Sequence, residues 1–387
     1  MIDRSITQEL LKLTTEYPVV TILGPRQAGK TTLARAGLKG YRYSNLEAPD
    51  VRELAQNDPK AYLNQFPSRT IIDEIQRVPQ LLSYIQVLVD QEQEKGRFVL
   101  TGSHQLQLRE AISQSLAGRT AILNLLPLSI SEMLGAGIEF SRFEEYAWHG
   151  FLPRVFDQSL RPAAAYSNYY QTYVERDVRQ LIRLHDATLF EKLIKLLAGR
   201  VGQLLDYSSL ANDAGVDAKT VRQWISILEA SYVLFRLPPY FENFGKRVTK
   251  APKFYFTDVG LLCFLLGIRE PDQVTRDPLV GSIFENLVVI ECLKSLYNRG
   301  ETGDLYYFRD SNGNEVDLLW RSGSEIIAAE IKSASTFSMD LMKGLRRFQN
   351  LTARSVHPFL IYNGDPVELS DGTRVVHFKN ASRCVSR

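Results

Sequence analysis

The run VVTILGPRQAGKTTLARAGL (19–38) constrains this chain more than any other stretch. VVTILG is continuously apolar and rich in β-branched residues, the pattern of a strand buried on both faces of a parallel sheet. GPRQAGKT (24–31) follows at once and fits G-x-x-x-x-G-K-[ST], with LARAGL spaced as a helix beyond it. A strand, a glycine-bearing loop and a helix in that order make a phosphate cradle. Gly24 and Gly29 let the backbone curl so that successive N–H groups face an anion. Lys30 can then reach the β- and γ-phosphates, and the Thr31 hydroxyl can ligate Mg2+. Pro25, Arg26, Gln27 and Ala28 complete the loop and Thr32 continues the helix, so these positions are the expected contacts to ATP.

IIDE (71–74) supplies the complementary acids. Asp73 closes a second buried strand, where it can support Mg2+ through water, and Glu74 is placed to orient or activate an attacking water. FVLTGS (98–103) is a further strand ending in small polar groups, of which Thr101 or Ser103 could sense a γ-phosphate. Transfer of a phosphoryl group commonly needs an arginine against the developing charge. Arg26, Arg109 and Arg119 are available, and Arg119 in SLAGRT is the expected finger, acting across an interface between copies of the chain.

Length and composition set the frame for the rest. At 387 residues the chain exceeds one ordinary core, so two or three domains are expected. A net charge of +2 excludes a polycation, so any nucleic-acid contact must be local. Cys263, Cys292 and Cys384 have no metal-ligand spacing, and no apolar run reaches the roughly 20 residues of a membrane span. The expectation is a soluble cytoplasmic protein with no membrane partner.

Strands near 41–47, 70–73, 97–103 and 120–129 alternate with helices, including one over 80–94, which argues for a three-layer α/β domain. From 131 to 205 the pattern turns helical, with Tyr166, Tyr169, Tyr170, Tyr173, Val174 and Val178 forming a packing stripe. His149 and His185 lack metal partners and are expected to be structural. In YSSLANDAGVDAKTVRQWISILEAS, Ala211, Gly215 and Val221 have the spacing of a helix-turn-helix, and FRLPPYFENFGKRVTKAPKFYF suits a winged hairpin. Lys219 and Arg222 lie on the second helix, while Lys246, Arg247, Lys250 and Lys253 form a basic patch suited to DNA backbone phosphates. A helix over 282–298 and strands around 305–309, 315–320, 325–331 and 358–362 follow. The tail beyond about 378 is expected to fray.

GPRQAGKTTLA, IIDEIQRVP, LTGS, SLAGR and LPLSISE, in this order, resemble a bacterial and archaeal AAA-type ATPase family. HGFLPRV (149–155) and YYQTYVERDV (169–178) resemble its linking segments. The resemblance implies a P-loop ATPase domain joined to a C-terminal domain of unassigned function. No second sensor arginine is apparent after the core.

In the C-terminal third, Glu285 lies on a helix, followed by GNEVDLLW (313–320) and IIAAEIKSA (326–334). With a turn at RSGS, counting pairs residue 317 with 328. Asp317, Glu330 and Lys332 then share one face, the two acids about 7 Å apart. Two acids at that reach can hold Mg2+ while a lysine aligns water. The layout resembles the PD-(D/E)XK nuclease superfamily. By that resemblance Glu285, Asp317 and Glu330 would bind metal and Lys332 would be catalytic, with Glu315 on the same face.

The fold class expected is therefore α/β: a P-loop AAA-type domain over 1–150, a helical and winged helix-turn-helix domain over 151–265, and a small nuclease-like domain over 266–387. The expected function is Mg-dependent ATP hydrolysis coupled to DNA contact. A nucleotide-gated interaction switch and an ATP-gated metal-dependent nuclease are the alternatives.

Overall fold

The computed structural model describes residues 2–386 except 93, 104–107, 109–110, 113, 179–186 and 242–249, and excepting the side chains of 175–178. Arg109, His185, Lys246 and Arg247 lie outside the described residues. The chain forms two compact units: Met1–Leu128 with Ala230–Tyr232 and Tyr297–Glu301, and Ser129–Glu229 with Val233–Leu296 and Thr302–Arg387.

The first unit is a parallel five-stranded sheet. Its strands are β1 (Val19–Leu23), β2 (Arg42–Asn45), β3 (Thr70–Asp73), β4 (Phe98–Gly102) and β5 (Thr120–Asn124). They lie in the order β2-β3-β4-β1-β5. Both neighbours of β1 are parallel, Val19 pairing with Phe98 on one side and Thr120 on the other. A central strand of this kind has both faces covered, and β1 is buried at every position. Helix α1 (Thr7–Glu16) stops at Tyr17, which is extended at φ −115 and ψ 144. Pro18 follows it, and the pyrrolidine ring keeps the preceding residue out of the helical region. Helix α2 (Lys30–Gly37) follows β1, and α3 (Leu81–Glu92) covers the region expected to be helical. Ile6, Leu10, Leu33, Ala34 and Leu38 pack with Val20, Ile22, Ile71, Val99 and Leu123 into one cluster. Burying each large aliphatic side chain contributes about 1.5–3 kcal/mol.

β5 is shorter than expected. It ends at Asn124, and Ser129 instead caps a helix over Ile130–Gly135. SISE is a capping box: the Ser129 hydroxyl accepts from Glu132 N while the Glu132 carboxylate accepts from Ser129 N.

The second unit opens with short helices and the turns of Tyr170–Val178, where Tyr166, Tyr169, Tyr170, Tyr173 and Val174 are buried as expected of a packing stripe. His149 stacks on Phe140 with ring centroids 4.3 Å apart, a structural role. Helices α4 (Tyr207–Ala214) and α5 (Ala218–Ala230) meet at Gly215, whose φ of 82° closes α4 in the left-handed region that glycine adopts without penalty. Ala211 and Val221, the two apolar positions singled out on either side of this glycine, are both buried. Strands β6 (Leu234–Leu237) and β7 (Lys253–Phe256) pair antiparallel. Every position of β7 is buried, Lys253 included.

Helix α6 (Val280–Asn298) precedes a mixed six-stranded sheet of β8 (Leu305–Arg309), β9 (Glu315–Ser322), β10 (Glu325–Lys332), β11 (Val356–Tyr362), β12 (Val367–Glu368) and β13 (Arg374–His377). Its order is β12-β13-β11-β10-β9-β8. β10 runs parallel to β11 and antiparallel to β9. Helix α7 (Lys343–Leu351) buries Leu345 and Phe348 against this sheet's core cluster.

The tail does not fray as expected: residues Phe378–Val385 form a 3-10 segment. Phe378, Ala381, Cys384 and Val385 lie on its buried side, an apolar spacing that anchors a terminus. Cys384 is thereby brought to Cys292, with the sulfurs 3.4 Å apart and both buried. Among the described residues, no helix is long and apolar enough to cross a membrane.

Candidate functional site

The loop after β1 leads into α2 through Gly29, the helix N-cap, at φ 92°. Gly24 has no room for a side chain, since a Cβ there would lie 2.0 Å from the Leu125 carbonyl oxygen. Leu125 N donates to Leu23 O at 2.8 Å, which holds that carbonyl against the loop just beyond β5. The Arg4 guanidinium ties the loop from outside, donating to Ala28 O at 2.6 Å and Leu126 O at 2.7 Å. The loop is fixed by packing that leaves no alternative residue at Gly24.

Lys30 is buried, and its ammonium donates to Gly24 O at 3.0 Å and Pro25 O at 2.8 Å. Burial pulls its pKa down to about 8, against the raising influence of Glu74 and Asp73. The cationic form is the one that attracts phosphate. ATP affinity is therefore expected to weaken as pH rises through about 8, by at most about tenfold per unit. The same depression means that the folded chain gains stability as pH climbs from there toward the ordinary lysine range. An ATP titration on either side of that pH checks the first statement; a flat profile contradicts it.

β4 lies between β1 and β3, and the Asp73 carboxylate at the end of β3 collects donors from three other elements. Thr31 Oγ1 is 3.0 Å from each of its oxygens, Tyr43 Oη donates to Oδ2 at 2.7 Å, and Thr101 Oγ1 donates to Oδ1. Burial and the neighbouring Asp73 charge push the Tyr43 phenol up, so it stays a donor. Glu74 follows at φ 58°, ψ 45°, a left-handed conformation costly for a residue with a Cβ. Gln27, in the glycine-bearing loop, has φ 61°. Strain at two positions of one site is what a geometry held for function looks like.

The Glu74 carboxylate is held in turn. Gln76 Nε2 and Ser103 Oγ donate to its Oε2, the latter at 3.4 Å, and Glu74 N donates to Thr101 Oγ1 at 3.3 Å. Thus Thr31, Asp73, Glu74, Thr101 and Ser103 come together as the sequence suggests. Arg119 does not join them: its guanidinium makes a two-pronged pair with Asp90, at 2.5 and 2.8 Å. Arg4, Tyr43 and Gln76 escaped sequence reasoning. Gln76, two residues past Glu74, carried a faint signal; the other two act through sheet neighbours and had none.

The donor set fits ATP and magnesium. Thr31 and Asp73 are hard oxygen ligands of the kind Mg2+ prefers, and an eight-residue helix with its N-terminus at a glycine loop suits a phosphate chain.

The second unit carries the other expected cluster. β9 and β10 turn at Gly323 and Ser324, so Ser322 pairs with Glu325 and Leu318 with Ala329. Continuing that register sets Asp317 opposite Glu330, not opposite residue 328. The shift is by two residues, so the acids keep one face. Lys332 Nζ lies 3.0 Å from Asp317 Oδ2 and 3.1 Å from Glu330 Oε1. Asp317 also accepts from Ile331 N at 2.8 Å. Burial and the Asp317 charge push Glu330 up to about 8. Glu285 and Glu315 converge on Lys253 Nζ at 2.9 and 2.5 Å, and Tyr255 Oη donates to Glu285 at 2.5 Å. Lys253, expected in a surface basic patch, is thus withdrawn into an acidic pocket. Among the described residues, no group of three His, Cys, Asp or Glu side chains is arranged to hold a metal ion.

Comparison with known proteins assigns the chain in three stretches. Residues 16–134 match an AAA domain, 141–272 a domain of unknown function (DUF8612), and 280–380 another (DUF4143). Uncharacterized protein Rv2008c of Mycobacterium tuberculosis is 35% identical over 328 residues, 83% of this chain and 72% of that one. An uncharacterized Haemophilus influenzae protein is 24% identical, covering 86% of each chain. Among solved structures, the Walker-type ATPase PABY2304 of Pyrococcus abyssi aligns with 68% of this chain and 96% of its own, at 14% identity and a TM-score of 0.47. The chain carries an AAA-type P-loop ATPase domain and belongs to the family of the mycobacterial protein Rv2008c.

Proposed function

We propose that the protein is a magnesium-dependent ATPase in which Lys30 and the loop N–H groups of residues 24–31 bind the triphosphate. Thr31 and Asp73 hold Mg2+, which neutralises phosphate charge. Glu74 accepts a proton from, or orients, the attacking water, while Thr101 and Ser103 register the γ-phosphate. The observation that carries this reading is the convergence of Thr31, Tyr43 and Thr101 on Asp73, with Glu74 beside it in a strained, pinned conformation. For Arg119 to serve a neighbouring copy as a finger, it must exchange Asp90 for the partner's nucleotide. We keep DNA as the expected partner on the helix-turn-helix geometry, although Arg222 lies over the Tyr207 ring at 4.9 Å and Lys253 is buried.

A nucleotide-gated switch is the second reading, and one observation favours it over a nuclease: the carboxylates of the second unit are already paired with lysines. Steady-state phosphate release, measured over a range of chain concentrations with and without DNA, separates these. Mg2+-dependent release that rises per chain with concentration and with DNA is expected. Absence of release under every condition contradicts the ATPase reading, and release indifferent to DNA favours the switch.

A further inference from the structure

The last segment of the chain lies as a strap across the second unit. Phe378 packs edge-on against Phe143 and Tyr146 of the helix Phe143–His149 and against Phe284 of α6, with ring centroids 6.4, 5.9 and 5.8 Å apart. Lys379 Nζ lies 2.8 Å from Glu139 Oε1. Toward the end of the strap, Cys384 meets Cys292 of α6. Their sulfurs are 3.4 Å apart, and Cys292 Sγ also lies 3.6 Å from Ala381 O. Cys292 is 0% exposed and Cys384 1%.

A disulfide holds its sulfurs about 2.05 Å apart, so closing this pair asks for a shortening of roughly 1.4 Å, which side-chain rotation supplies. Hydrogen bonding to Cys384 and burial hold the Cys292 thiol well above its ordinary value, so it is inert while the strap is closed. The strap is the element that opens. It is one 3-10 segment at a chain end, and the ends of a domain open at the lowest cost. Opening carries Cys384 into solvent and leaves Cys292 behind on α6. A pair with one member on such an end and the other on a long buried helix is arranged for a two-step exchange.

We propose that Cys292 and Cys384 form a redox-sensitive site at which a small-molecule disulfide closes a bond that locks the strap onto α6. With the strap open, the Cys384 thiolate attacks one sulfur of the oxidant, so that a mixed disulfide forms and one thiol leaves. On reclosure Cys292 Sγ, having released its proton, attacks Cys384 Sγ and expels the second thiol. The two cysteines lose two electrons, the oxidant gains them, and the two cysteine protons end on the two thiols released. The bond joins positions 92 apart in sequence, so it restrains the unfolded chain strongly. The inference rests on α6 and the strap alone, so its failure leaves the ATPase reading untouched.

Thiol counting on the full chain after incubation with oxidised glutathione tests it. Wild type is expected to fall from three titratable thiols to one, with no glutathione attached, and to return to three with dithiothreitol. Oxidised wild type is expected to unfold at a urea concentration about 1 M above that of the reduced chain, as a closed loop of this length implies. Cys384→Ser is expected to keep both of its thiols and to show no shift. Wild type that keeps all its thiols, ends with glutathione attached or forms disulfide-linked dimers overturns the proposal. An unchanged urea midpoint overturns it too, as does a Cys384→Ser chain that loses two thiols. Should Cys384→Ser fail to fold, Cys384→Ala takes its place. Should both fail, peptide mapping of oxidised wild type decides: a bond between Cys292 and Cys384 supports the assignment, and a bond to Cys263 overturns it.

Discussion

Glu74→Gln is expected to bind ATP as wild type does while phosphate release falls about 10²–10⁴-fold, the usual contribution of a positioned general base. Glutamine is nearly isosteric. Its amide oxygen can still accept from Ser103 Oγ, and the backbone N–H of residue 74 can still reach Thr101 Oγ1. What it cannot do is take a proton or present a full negative charge to water. A change confined to turnover is the signature of an interaction made in the transition state rather than in ATP binding. The contrast between nucleotide affinity and phosphate release in the same variant is the measurement. Release at the wild-type rate removes Glu74 from the mechanism.

The second large effect concerns stability. On α6, Lys294 Nζ lies 2.7 Å from Glu291 Oε1, with the side chains 2% and 6% exposed. The other oxygen of Glu291 accepts from Ile130 N at 2.8 Å, and Lys294 Nζ sits 3.7 Å from the Phe151 ring centroid. Lys294→Met removes one partner and leaves the carboxylate buried beside apolar and aromatic groups. The expected loss is about 3–5 kcal/mol, a large part of a domain's whole stability. Burial already pushes the Glu291 carboxyl up. Without Lys294 it is pushed further, so the variant is relatively more stable in acid and loses that relief as pH rises through the raised value. Adding Glu291→Leu recovers the stability only in part, because Ile130 N is then left without its acceptor at about 1–3 kcal/mol. Urea midpoints of the three chains at acid and neutral pH decide this; a midpoint for Lys294→Met equal to that of wild type contradicts it.

The candidate nucleotide site was legible because its residues are consecutive. Gly24, Gly29, Lys30 and Thr31 lie in one loop and the start of one helix, and Asp73 with Glu74 marks the end of one strand. Nothing beyond local pattern is needed to bring each half into being, and the parallel sheet brings the halves together. Tyr43 was not legible because it reaches the site from β2, whose place depends on strand order, and Arg4 because it reaches the loop from the segment before α1, 24 residues away in sequence. Arg119 stands out by its sequence neighbours, but it lies in the turn before β5 and its partner Asp90 is 29 residues away on α3.

The second unit teaches a different lesson. Asp317, Glu330 and Lys332 share one face even though the turn differs from simple counting, because a slip of two residues preserves the side-chain alternation of a strand. Lys253 could not be placed from the sequence for a reason of composition. KFYF is buried at all four positions, so no alternation distinguishes an inward lysine from an outward one. A buried lysine next to a surface lysine, Lys250, looks the same in a sequence. Only the acids that surround it tell them apart, and they come from residues 285 and 315. The fraying expected of the tail failed similarly. Phe378, Ala381, Cys384 and Val385 are few and widely spaced, and their burial depends on a surface that only the folded unit supplies.

Everything assigned to the first unit depends on a buried lysine and a pair of acids acting on a triphosphate held by backbone N–H groups. The most direct test is the affinity for ATP of wild type and Lys30→Ala, each with Mg2+ and with the metal chelated. Tight Mg2+-dependent binding by wild type is the result expected. Chelation should weaken it at least about tenfold, and Lys30→Ala at least about a hundredfold, as befits removal of a charge-assisted hydrogen-bond donor from a buried site. Equal affinity in all four measurements would contradict the account.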